Sequence, residues 1–171
     1  MKNGDTSLEY LDVKKITSQM NLSSLGDGVS DIEIRIWFPD MSMDKLIQIK
    51  KDNGVWSGNL YCFDTEFDTT LVGYKVAKLK TIPISPKSGW GNMDQKIIDL
   101  EILSIPNMEK VAGTKGKSID GESYSVEVAT SRIYRFYTYD NPKDHKNIPE
   151  VNQMVNIIEW FNSEFPDCSS N

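Results

Sequence analysis

The residues best equipped for recognition chemistry fall on two segments that alternate like strands. Arg132-Ile133-Tyr134-Arg135-Phe136-Tyr137-Thr138-Tyr139 packs four aromatic rings and two arginines into eight residues. On a pleated strand Tyr134 and Phe136 point one way, and Arg135, Tyr137 and Tyr139 the other. Ile32–Phe38 does something similar, with Arg35 and Trp37 opposite the face of Ile32, Ile34 and Ile36. Tryptophan, tyrosine and arginine concentrate at the energetic centres of interfaces. Arg35, Trp37, Arg135, Tyr137 and Tyr139 are therefore the candidate binding residues, read as one outer face of a sheet. If a helix or loop covers that face instead, the arginines should pair with Glu33, Glu127 or other acids. A concave version of the same surface would be a ligand pocket lined by Tyr124, Tyr134, Tyr137, Glu127 and Arg135.

Other patterns carry less chemistry. Val111-Ala112-Gly113-Thr114-Lys115-Gly116-Lys117-Ser118 ends like a phosphate-binding loop, but Val111 stands where the first glycine is required. With Ile119 it also resembles the Gly-x-x-Gly segment of KH domains, a loop between two helices that Asp120-Gly121 would break. Both matches fail, leaving a polar loop. Asp64, Glu66 and Asp68 begin like a calcium-binding loop, but Thr69 replaces the turn glycine and Lys75 the closing glutamate. His145 is the only histidine, which argues against a catalytic zinc site, and nothing local brings it to Cys62 as a nucleophile–base pair. Carboxylate pairs such as Glu101 with Glu109 or Glu122 with Glu127 are unremarkable among twenty-five acids. No cofactor, metal site or catalytic residue is assigned, and the enzyme question leans toward no.

Charge and length narrow the classes further. Nineteen basic against twenty-five acidic residues leave a net charge of −6 in 171 residues. Nucleic-acid binders draw their affinity from basic surfaces, so nucleic acid is not an expected partner. No run of 18 apolar residues appears, so no transmembrane segment is expected. The start Met1-Lys2-Asn3-Gly4 has no apolar signal core. The chain reads as cytoplasmic if it is full length, and as secreted, periplasmic or lipid-anchored if a signal peptide has been trimmed from it. Cys62 and Cys168 permit one disulfide, although a buried free thiol and a loose tail thiol is the favoured reading. A Cys62–Cys168 bond would point to a secreted or surface domain.

The elements that would position these residues follow from periodicity. Thr6-Ser7-Leu8-Glu9 has the form of a capping box, with Leu8, Leu11, Ile16 and Met20 behind it, predicting a helix over about 6–20. Residues 32–38 read as a half-buried strand. Lys45–Lys51 and Val55–Cys62 flank Asp52-Asn53-Gly54, whose Asn-Gly step favours a type I′ hairpin. A strand over 70–82 should end at Pro83. Asn92 with Gln95 resembles a capping pair for a helix running to Leu103 before Pro106. Residues 123–130 and 132–139 read as paired strands or one bent strand. Asn147 and Glu150 should cap a helix with Val151, Met154, Val155, Ile158, Phe161 and Phe165 on one face. The expectation is a single α+β domain over 1–171, with loose tails at 1–5 and 167–171. Its antiparallel sheet has about six strands, and N-terminal, central and C-terminal helices pack on one face of it. The function that fits is non-enzymatic binding of an unidentified protein partner, inhibitory or immunity-like. The alternatives are a small-ligand or carboxylate-based enzyme pocket under the sheet and a secreted structural domain. Oligomeric state is left open.

Overall fold

The computed structural model describes residues 8–39, 44–69, 73–114 and 121–168. The capping box at Thr6-Ser7 and residues 115–118 of the 111–118 loop lie outside the described residues. Six strands form one antiparallel sheet in the order β4-β3-β2-β1-β5-β6: β1 Ile32–Phe38, β2 Asp44–Asp52, β3 Val55–Asp68, β4 Gly73–Ile84, β5 Ser123–Thr130 and β6 Tyr134–Asp140. Three helices accompany them: α1 Leu8–Gln19, α2 Met93–Asp99 and α3 Pro149–Glu164. This is the α+β class with an antiparallel sheet that the sequence predicts. No helix among the described residues is long and apolar enough to cross a membrane.

The helices cover both faces of the sheet rather than one. On the first face α2 and α3 bring Ile97, Val151, Met154, Ile158 and Phe161 onto Ile34, Ile36, Ile47, Ile49, Leu60, Val126 and Val128. On the second, Val13 of α1 and Met20 just beyond its end pack with Trp37, Leu46, Tyr61, Phe63 and Phe136. The central strand β1 is thus buried on both sides, not half-buried. In α1 the inward stripe is Tyr10, Val13, Ile16 and Met20, while Leu11 is exposed.

Local chemistry explains the connections. Asn53 and Gly54 take φ of 51° and 80°, the left-handed pair of a type I′ turn, and join β2 to β3 as predicted. Between β5 and β6 no glycine is needed. The Thr130 hydroxyl accepts from the backbone N–H of Arg132 and Ile133, both at 3.2 Å, and so does the work of a turn backbone. β4 runs through Pro83 to Ile84 because it is an edge strand, where a missing donor costs no ladder bond. The α2 prediction is too long: the helix ends at Asp99, Glu101 has φ 53°, and residues 100–104 are turns. Neither the Asn92 nor the Asn147 cap forms; α3 starts with Pro149 in its first turn, after Ile148.

Two features depart from the favoured reading of the sequence. Cys62 and Cys168 form a disulfide, joining positions 106 residues apart. Residues 167 and 168 are accordingly no loose tail: Asp167 also meets Lys45 at 3.4 Å. Second, β3 pairs with β2 only as far as Phe63, and beyond it Asp64–Asp68 and Gly73–Lys78 continue as a two-stranded arm. The acids proposed for calcium lie here in cross-strand ion pairs, Asp64 with Lys78 and both Glu66 and Asp68 with Lys75, at 3.0 to 3.3 Å.

Candidate functional site

Strand register divides the five candidate binding residues between the two faces. Arg35 lies opposite Glu127, which lies opposite Phe136, while Ile36 aligns with Val126 and then Tyr137. Direct partners share a face, so Arg35 and Trp37 sit under α1, whereas Arg135, Tyr137 and Tyr139 sit on the α2–α3 face. The single aromatic-Arg face is not formed; Arg35, Trp37, Tyr137 and Tyr139 are buried and Arg135 is half-buried. Arg35, Tyr137 and Tyr139 have no exposed surface, and Trp37 retains 7%.

On the α2–α3 face the three residues hold a loop. The Arg135 guanidinium donates to the carbonyls of Leu103 and Ile105, the Tyr137 hydroxyl to Ile102 at 3.1 Å, and the Tyr139 hydroxyl to Pro106 at 2.7 Å. Residues 102–106 belong to no ladder, and buried carbonyls need donors. This clamp supplies four. Burial pushes both tyrosine hydroxyls far above their ordinary range.

Under α1 the sheet carries a buried polar network. Glu33 Oε1 accepts from Arg35 Nε at 2.8 Å and from Gln48 Nε2 at 2.5 Å. Arg35 Nη2 meets the same oxygen at 2.7 Å and also donates to the carbonyl of Ser23 at 2.8 Å, holding down the loop after α1. Gln48 Oε1 accepts from Tyr61 and Asn59. Beside this group Glu127 accepts from the Trp37 indole at 3.3 Å and from the Tyr134 hydroxyl at 2.9 Å; Tyr134 in turn hydrogen-bonds Tyr10. Burial holds the Glu127 carboxyl above its usual range, against the charge of Arg35 and the two donors, which act to lower it. The covered-face expectation, arginine paired with Glu33, applies to Arg35.

A cleft of about 490 Å³ opens over this network, between α1, residues 21–25 and the start of β6. Its floor is Glu127 and Tyr134. Its wall is a stripe of α1 at helical spacing, Tyr10, Lys14, Thr17 and Ser18, with Asn21 beyond the helix end. Thr17 is 5% exposed, and its hydroxyl, like Nη1 of Arg35, is buried without a hydrogen-bond partner among the described residues. A buried donor left unmatched costs about 1–3 kcal/mol, which makes such atoms informative.

Comparison with known proteins finds no matching family model, curated protein or solved structure. The reading of this site therefore rests on its own geometry.

A larger cleft of about 840 Å³ lies at the disulfide end of the sheet, with Phe38, Lys45, Glu122, Tyr124, Asn162 and Asp167 on its walls. Its polar groups satisfy one another. Lys45 donates to Asn162 at 2.9 Å and sits 4.3 Å over the Phe38 ring, and Tyr124 donates to Glu122 at 2.6 Å. The α1 cleft, with unmatched atoms, is the stronger candidate. Of the residues proposed to line one pocket, Glu127 and Tyr134 line the α1 cleft and Tyr124 the larger one, while Tyr137 and Arg135 line neither. Glu122 and Glu127 likewise fall in different clefts. Cys62 is bonded to Cys168, so it offers no thiol to His145. Among the described residues no group of three histidine, cysteine or acidic side chains is arranged to hold a metal.

Sequence reasoning missed the α1 wall. Its signal was present: Lys14, Thr17, Ser18 and Asn21 follow i, i+3, i+4, i+7, a polar stripe beside the apolar one.

Proposed function

We propose that this chain is a non-enzymatic binding domain that receives a small polar ligand in the cleft between α1 and the β5–β6 end of the sheet. One observation carries the reading. Glu127, 5% exposed and oriented by Trp37 and Tyr134, forms the floor of a cleft of ligand size, within the range of about 300–1,000 Å³ common for such sites. Binding is favoured over catalysis because the lining includes one carboxyl and neither histidine nor cysteine, and that carboxyl is already engaged by the Trp37 indole and the Tyr134 hydroxyl. The Cys62–Cys168 bond supports an oxidising compartment, where such bonds persist. Docking of a protein partner is the lesser reading. Its remaining support is the tip of the arm, where Phe67 and Tyr74 are 60% and 58% exposed and meet edge to face.

A thermal-shift screen of small polar metabolites tests the proposal, with Ser18→Trp to fill the cleft and the pair Phe67→Ser, Tyr74→Ser as control. A ligand should raise the melting temperature of the native and arm-variant proteins but not of Ser18→Trp. Shifts of equal size in Ser18→Trp overturn the assignment of the cleft.

A further inference from the structure

The α1 cleft, if it is the ligand site, also has a sign of charge. Three ionisable side chains are buried on this side of the sheet near its centre: Glu33, Glu127 and Arg35. The guanidinium is committed to Glu33, with two nitrogens on one of its oxygens at 2.7 and 2.8 Å. Gln48 donates to that same oxygen. Among the described residues Glu127 has no such cation in contact. Its two donors, an indole N–H and a phenol O–H, are neutral and fix its direction without cancelling its charge. Taking a carboxylate out of water without a cationic partner is unfavourable by several kcal/mol, and the molecule responds by favouring the protonated form.

The small part of Glu127 that is not covered belongs to the cleft, and the rings of Tyr10 and Tyr134 stand beside it. A carboxylate held in place by neutral donors is an acceptor that an ammonium group can meet with a charge-assisted hydrogen bond. The rest of the wall is hydroxyl and amide: Thr17 with its unpartnered Oγ1, Ser18, Ser24 and Asn21. Those groups hydrogen-bond to neutral polar atoms of either sense. Lys14 is exposed on the wall, where it would repel a cation with a strength that salt screens.

We propose that the ligand is a small hydroxylated primary amine of the amino-sugar type, its ammonium seated on the carboxylate of Glu127 and its hydroxyls on the wall of α1 and the loop after it. The bound ammonium would give Glu127 a cation in direct contact, where Arg35 acts on it only through space. This inference rests on the reading of the cleft as a ligand site, and the test separates the two.

Glucosamine, N-acetylglucosamine and glucose differ at one position and present the amine, its neutral amide and a hydroxyl. Titration calorimetry on the full chain should show glucosamine binding at least tenfold tighter than the other two. Glu127→Gln, which keeps the shape and an acceptor for the indole, should erase that preference. Lys14→Glu leaves the buried network untouched and should tighten glucosamine severalfold at low salt. If the neutral sugars bind as well as glucosamine, and Ser18→Trp blocks all three, the cleft reading stands and the amine proposal is overturned. An amine preference that survives Glu127→Gln, or is indifferent to Lys14→Glu, also overturns it. If no sugar binds, the amine proposal falls and the cleft reading stands or falls by the thermal-shift screen; if binding persists in Ser18→Trp, both readings fall.

Discussion

The two faces of this sheet solve different problems with the same strands. The face under α2 and α3 is an apolar core, and its few polar atoms point to backbone: Arg135, Tyr137 and Tyr139 spend their donors on the carbonyls of residues 102–106. The face under α1 mixes a smaller apolar cluster with a network of side chains bonded to one another around Glu33, Arg35 and Gln48. The first face uses polar groups to close the fold. The second leaves the Thr17 hydroxyl, on the wall of a cleft, without a hydrogen-bond partner among the described residues, and α1 covers this face through a short stripe of residues. Gln19 adds one tie, accepting from the backbone N–H of Val76 on the β4 edge at 2.7 Å. Buried polar groups that the fold does not need are where a binding role is most economically placed.

Substitutions on the two faces should therefore differ in kind. Phe161→Ala, in the centre of the apolar face, removes a fully buried ring and should cost about 3–5 kcal/mol in denaturant unfolding. Arg35→Ala should cost a similar amount, about 3–5 kcal/mol, because it strands Glu33 in the interior. The contrast appears in the double replacement Arg35→Met with Glu33→Leu, which should recover most of that loss, since a buried ion pair is often no better than a packed apolar pair. Failure of the double variant to recover would mean that the network, rather than the pair, holds this face.

Next in size is the disulfide. Reduction, or Cys62→Ser with Cys168→Ser, should cost roughly 2–5 kcal/mol by releasing a loop of some hundred residues in the unfolded chain. Its effect should be felt at the end of α3, while the buried network under α1 keeps its hydrogen bonds in the folded protein. Arg135→Ala should cost about 1–3 kcal/mol by leaving two carbonyls without donors. Unchanged stability in that variant would return Arg135 to the candidate binding residues.

The smallest effect is on pH dependence. Burial raises the Glu127 carboxyl above its ordinary value near 4.5, despite the opposing pull of Arg35, Tyr134 and Trp37. Between that value and the raised one the folded state holds a proton that the unfolded state has lost. Stability from this group is thus full below pH 4.5 and declines as pH rises through the window above it. Glu127→Gln should flatten that decline, so melting curves of the two proteins converge in acid and separate toward neutral pH, with the variant the more stable. Parallel curves across the range would show that Glu127 is not held in the interior as described.

Much of the architecture was determined by the sequence alone, because it depends on local backbone geometry. A strand turns its side chains over every second residue and a helix every 3.6, so the alternation of Ile32–Phe38 and the apolar face of α3 follow from spacing. The Asn53-Gly54 turn follows from the few residues that tolerate positive φ. The within-strand pairing of Arg35 with Trp37, and of Arg135 with Tyr137 and Tyr139, was legible for the same reason. Tertiary structure alone decided whether those two sets share a face. That depends on how β1 registers against β5 across some ninety intervening residues, and a shift of one residue inverts every side chain. The same holds for α1 and α3 on opposite sides of the sheet, for the Cys62–Cys168 bond, and for the cleft over Glu127. Each is a meeting of segments distant in the chain, and no local period encodes where they meet.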